Sequence, residues 1–85
     1  MSKQELPKWF KGECYEEGDT VKNPFSGEEC ELNNFELSMY DFIIASQLVF
    51  EMAPSNINDQ QVKDFQKALD WFRKNNAQAY TILLD

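Results

Sequence analysis

Two cysteines, Cys14 and Cys30, and the carboxylates around them are the side chains of this 85-residue chain with the most chemistry to offer. The acids are Glu13, Glu16, Glu17, Asp19, Glu28, Glu29 and Glu31. A thiol pair can close a disulfide or supply half of a zinc site, and clustered carboxylates can hold Ca²⁺ or Mg²⁺. Zinc takes four ligands, usually Cys or His. The chain has no histidine, so a zinc ion would have to bridge two copies through their cysteines. The acids do not follow the spacing of an EF-hand loop and read as a solvated face. Without histidine the commonest general base and proton shuttle are missing. No catalytic, metal or cofactor residue is assigned, and the chain is read as not an enzyme.

The elements that position these groups follow from turn and cap signals. All three glycines, Gly12, Gly18 and Gly27, fall in residues 9–32 and punctuate short extended pieces. Three strands are expected, at 9–15, 19–23 and 28–32. Glu16-Glu17-Gly18 makes the first turn, and Asn23-Pro24-Phe25-Ser26-Gly27 the second, with Pro24 fixing φ and Gly27 supplying a positive φ. In the third strand Cys30 and Leu32 point one way, Glu29 and Glu31 the other. This meander places Cys14 opposite Val21 and Val21 opposite Cys30, with Lys22 across from Glu29. The two thiols then flank a central strand about 9.5 Å apart at ordinary strand spacing. That exceeds the ~7 Å reach of a disulfide, so both are expected as free thiols on the core face.

A first helix opens at Asn33, with Glu36 three residues on in a capping-box position, and stops before Pro54. A second opens at Asn58, with Gln61 at the third position and Ile57 and Val62 placed as a hydrophobic staple. Its apolar stripe is Val62, Phe65, Ala68, Leu69 and Phe72. The acids Asp59 and Asp70 stand four residues before Lys63 and Lys74, on the opposite side. The last segment, from Ala77, reads as a short helix capped by Asn76, with a strand as the alternative. The fold class is α+β: a short N-terminal antiparallel β-meander packed on two antiparallel helices with a short C-terminal element. Residues 1–8 form a flexible tail and 9–85 a single domain, divided into the meander (9–32) and a helical part (33–85).

Residues 35–52 are apolar on nearly every side, and such a helix must be covered. Phe35, Phe42 and Val49 recur every seven residues; Leu37, Ile44 and Leu48 form another face. One face can meet the second helix and one the sheet. Met39, Ile43 and Phe50 then still need cover, and Tyr40 and Met52 are partly spare. A homodimer, most simply two-fold, supplies it; the alternative is a snug monomer with the helix sandwiched inside its own fold. The candidate interaction surface is therefore Tyr40, Ile43 and Phe50, joined by Trp71, which points away from the core stripe of its own helix. Trp and Tyr are favoured interface anchors.

Charge limits the partners. The net charge is −7, from 15 acids and 8 bases, which repels phosphate backbones and anionic membranes. No apolar signal-peptide core appears near Met1, and no apolar run spans a bilayer. A cytoplasmic setting with reduced thiols is expected. The function expected is a non-catalytic protein–protein interaction module, a homodimer or an adaptor for an unknown protein. The alternatives are an acidic DNA mimic that occupies a host protein's basic groove, and a small-ligand binder or histidine-free enzyme.

Four segments carry a resemblance: Trp9-Phe10-Lys11-Gly12, Asn23-Pro24-Phe25-Ser26-Gly27-Glu28, Glu36-Leu37-Ser38-Met39-Tyr40-Asp41-Phe42 and Asp70-Trp71-Phe72-Arg73-Lys74-Asn75. Together they resemble small uncharacterised proteins of marine tailed bacteriophages, including cyanophages, and of ocean metagenomes, over most of residues 8–85. The resemblance implies a phage accessory protein acting in a bacterial host's cytoplasm. It brings no known activity, so it assigns no functional residue.

Overall fold

The computed structural model describes residues 5–10, 12 and 14–84. In order, the elements are strand β1 (Asp19–Lys22), strand β2 (Glu29–Leu32), helix α1 (Asn34–Met52), a 3₁₀ turn (Pro54–Asn56), helix α2 (Asp59–Asn75) and helix α3 (Ala77–Leu83). The fold is α+β.

The strands pair antiparallel, with Val21 opposite Cys30 and Lys22 opposite Glu29, as the turn chemistry requires. Asn23 builds the connecting turn. Its backbone exchanges hydrogen bonds with Glu28 and Gly27, and its Oδ1 accepts from the N–H groups of Phe25 and Ser26 at 2.8 and 3.2 Å. Gly27 takes φ +79°, a conformation glycine adopts without steric cost. The Asn23 amide also donates to the Ile82 carbonyl at 2.8 Å, pinning the hairpin's far end to α3. Gly18 is required for a different reason. A Cβ there would overlap the Leu32 carbonyl oxygen and sit 2.8 Å from the Asn33 Cα.

Both long helices begin with a reciprocal capping box. Asn33 Oδ1 accepts from the Glu36 N–H at 2.8 Å while Glu36 Oε1 accepts from the Asn33 N–H at 3.1 Å. Asn58 and Gln61 repeat the arrangement at 2.8 and 2.9 Å. Each box satisfies two backbone donors that the helix start would leave open. Asn76 closes α2 and caps α3 by accepting from the Ala79 N–H, so the C-terminal segment is a helix. On α2's outer face Asp70 pairs with Arg73 at 2.8 Å and Lys74 at 2.9 Å. Asp59 and Lys63 make no such pair.

The core is Leu32, Met39, Ile43, Ala68, Phe72, Ala79 and Leu83. It draws on β2 and all three helices. Tyr40 meets Phe72 and Phe50 meets Phe65, so α1 and α2 run antiparallel, with the 3₁₀ turn reversing the chain.

The meander is corrected. Among the described residues the sheet has two strands, and residues 9–15 are not a third. The Phe10 N–H donates back to the Pro7 carbonyl at 3.0 Å, which makes a turn. The Tyr15 N–H donates to Ser38 Oγ at 2.9 Å, and the Tyr15 carbonyl accepts from the Asn34 amide at 3.4 Å. The segment thus satisfies backbone groups on α1 rather than on β1. Cys14 consequently does not face Val21. It is exposed, Cys30 is half-buried, and both are free. The tail is also partly docked: Leu6 packs on the core, and the Glu5 carbonyl accepts from the Trp71 indole at 3.1 Å. Residues 1–4 of that expectation, and Lys11 and Glu13 of the first strand, lie outside the described residues.

Candidate interaction surface

Helix α1 is apolar almost all round, and the structure covers its two halves unequally. Its buried residues are Glu36, Ser38, Met39 and Ile43, all in the first ten positions. There the N-terminal segment lies over the side of the helix that α2 and the sheet leave open. Ser38 is the fastening point: its hydroxyl accepts from Tyr15 and donates to the Asn34 carbonyl at 2.7 Å. Trp9 and Phe10 close over Phe42, with ring centroids 6.2 and 5.5 Å away. Lys67 of α2 holds its ammonium 5.9 Å from the Trp9 ring centre, within cation–π range.

Beyond Phe42 this cover ends. Leu48, Val49 and Met52 are 52%, 44% and 82% exposed, and Ala45 is exposed with them. Positions 45, 48, 49 and 52 share one helix face by their 3.6-residue period. The stripe borders an open groove of about 320 Å³ between α1 and the start of α2. Phe42, Ala45, Val49 and Phe50 form its apolar side, and Gln61 and Asp64 stand on the α2 side. Asp64 is buried and accepts one side-chain hydrogen bond, from Gln60 Nε2 at 2.8 Å.

Of the residues expected at the surface, Ile43 is corrected: it is completely enclosed by the chain's own core. Met39, expected to need outside cover, is enclosed as well. Tyr40 is half-buried against Phe72, and burial pushes its hydroxyl above the ordinary phenol range. Phe50 is half-buried, edge-on to Phe65 at 5.1 Å, and borders the groove. Trp71 is half-buried at the other end of α2, tied to Glu5. The structure therefore brings Phe50 alone of the four to the open groove.

The expected surface left out Ala45, Leu48, Val49 and Asp64 and took Met52 only as partly spare. Ala45, Leu48 and Met52 had a signal. Asp41, Ala45, Leu48 and Met52 recur at i, i+4, i+7 and i+11, a straight helical row that begins with an acid and turns apolar. Asp64 gave no such signal, because its burial depends on how α1 and α2 cross.

The groups that opened the chemical reading are dispersed. Glu16, Glu17, Asp19, Glu28, Glu29 and Glu31 are all exposed. No group of three or more possible ligands among the described residues is placed to hold a metal ion. Burial, with the charges of Glu36 and Glu31, pushes the Cys30 thiol up from its ordinary value. That opposes the thiolate a nucleophile requires. No described helix is long and apolar enough to cross a membrane. Comparison with protein-family models, curated proteins and solved structures returns no match.

Proposed function

We propose that this protein is a non-catalytic protein–protein interaction module, and that its contact surface is the uncovered half of α1. One observation carries the reading. A helix whose buried residues all lie in its first ten positions presents Ala45, Leu48, Val49 and Met52 bare, beside an open groove. Their exposed area is on the order of a few hundred Å², the scale at which a contiguous apolar patch marks an interaction site.

A homodimer through this stripe is the weaker form of the reading. The patch falls short of the ~800 Å² per partner of a standard stable interface. Charge also opposes it. Residues 33–57 contain Glu36, Asp41 and Glu51 and no base. A two-fold contact between copies would bring their acids together. The adaptor form, in which one chain engages another protein, avoids both difficulties. It also suits the phage accessory role in a bacterial cytoplasm that the sequence resemblance implies.

The test is a Leu48→Glu, Met52→Glu double variant. Both side chains are exposed, so the variant folds like the parent by circular dichroism. The reading expects proteins captured from a bacterial lysate by the tagged parent to be lost with the variant. Identical capture by both proteins would overturn it.

A further inference from the structure

The module reading leaves the occupant of the groove open, and the following rests on that reading. Phe42 borders two places. In the filled half Trp9 and Phe10 of this chain pack on its ring. In the open half Phe42 lines the groove between α1 and α2. The natural filler sits in the sequence Lys8-Trp9-Phe10-Lys11, two aromatic residues between two lysines. Phe42, which lines the open groove, thus already receives an aromatic pair from a segment that carries positive charge.

The open half suits cations better than the filled half does. The filled half already has Lys67 standing over Trp9. The open half has Asp64 in its wall, a buried carboxylate with one side-chain donor. A carboxylate accepts up to about four hydrogen bonds, so Asp64 retains capacity for a partner's N–H groups. Exposed Asp41 lies in the same helical row as Ala45, Leu48 and Met52. Glu51 and Asp59 are also exposed, near the ends of their helices. The bordering residues Asn58, Gln60 and Gln61 are neutral.

We infer that the open half of the groove receives a short basic–aromatic segment of a partner protein. An aromatic side chain would sit against Val49 and Phe50, and a flanking Lys or Arg would donate to Asp64. The −7 net charge would steer such a segment inward and make its capture depend on salt.

Three capped hexapeptides test this: Lys-Lys-Trp-Phe-Lys-Lys, Glu-Glu-Trp-Phe-Glu-Glu and Lys-Lys-Ala-Ala-Lys-Lys. Each is titrated into the ¹⁵N-labelled full chain, with affinity read by calorimetry. The first peptide should bind at least about tenfold tighter than either control, a difference of ~1.4 kcal/mol. Its shift changes should centre on Val49, Phe50, Gln61 and Asp64, and its affinity should fall as ionic strength rises. Asp64→Asn should weaken it severalfold, while Asp70→Asn, a charge loss on the outer face of α2, should not. The inference is overturned if no peptide binds, if the acidic peptide binds equally well, or if the shifts centre on Lys67 and Trp71. It is also overturned if the free protein doubles in mass and Leu48→Glu restores the monomer, because a second copy is then the occupant. Loss of lysate capture in the double variant without this peptide ranking removes the occupant and leaves the module. Unchanged capture removes the module.

Discussion

The two halves of α1 have nearly the same kind of sequence and opposite fates. Residues 34–43 and 44–52 are both rich in Phe, Leu, Ile, Met and Val. The first half is closed in by β2, α2 and a hydrogen-bonded N-terminal segment. The second meets α2 through Phe50 and shows its far side to solvent. The difference does not lie in hydrophobicity. It lies in Ser38, a small polar residue whose hydroxyl receives a backbone N–H from another part of the chain. An apolar helix face fixes that it must be covered; a polar contact fixes what covers it.

The largest effect should come from placing a charge in each half. Ile43→Asp puts a carboxylate where the side chain has no solvent contact. Burying an unpaired charge costs several kcal/mol, against about 4–13 kcal/mol of total stability for a domain of this length. The variant should be unfolded or insoluble. Leu48→Asp, five residues on and half-exposed, should stay within about 0.5 kcal/mol of the parent by urea denaturation. Equal damage from both would mean that the second half is covered in solution.

Two serines on the same helix sharpen the comparison. Ser38 and Ser46 each donate to the carbonyl four residues back, at 2.7 and 2.8 Å. Ser38 alone also accepts from Tyr15. Replacing Ser38 with Ala leaves that N–H without its acceptor, a loss of about 1–3 kcal/mol. Ser46→Ala removes only a local bond that competes with the helix's own, and should be near neutral. Paired urea melts give the difference directly. Hydrogen exchange should show the Tyr15 amide losing protection in Ser38→Ala while the amides of α2 keep theirs.

Much of the fold was legible because its punctuation is local. Asn33 with Glu36, Asn58 with Gln61, and Asn76 each specify a helix start within four residues. Pro24 and Gly27 specify the hairpin turn. What could not be read was the path of residues 9–15. Their apolar content suits a strand, but strand formation needs a partner edge, and the segment found hydrogen-bonding partners on α1 instead. The other differences are also non-local. With the segment on α1, Cys14 turns outward, while Met39 and Ile43 take their cover from the core that β2, α2 and α3 supply. The case for a dimer built on Ile43 is thereby lost. The bare row from Ala45 to Met52 was visible as periodicity. Its bareness was not, because exposure is decided by what stops short of it.

The cysteines report the same choice by a weaker effect. Cys14 belongs to the covering segment and is exposed, while Cys30 faces inward beside Glu36, with its thiol raised. A raised thiol pKa lowers the reactive thiolate fraction near neutral pH, and partial burial shields the sulfur. Alkylation of the native protein, followed by peptide mass spectrometry, should label Cys14 faster than Cys30. A third strand against β1 would shield both and make the rates similar.

The smallest effect separates the charged face of α2 from Asp41 on α1. Hydrogen bonds from Lys74 and then Arg73 hold the Asp70 carboxyl below the ordinary carboxylate range. Its folded pKa is therefore below its unfolded one. Its contribution is fully present above the unfolded value of about 3.9 and is lost as pH falls through the folded value. Asp70→Asn should thus lower the urea midpoint slightly at pH 7, and the difference from the parent should shrink under strongly acid conditions. The effect is small because the pair is solvated and screened by salt. Asp41, on a stretch with no base between residues 33 and 57, has no such partner on its helix, so Asp41→Asn should leave the midpoint unchanged. A loss there equal to that of Asp70→Asn would mean that a cation already reaches Asp41 in solution, and with it a second molecule.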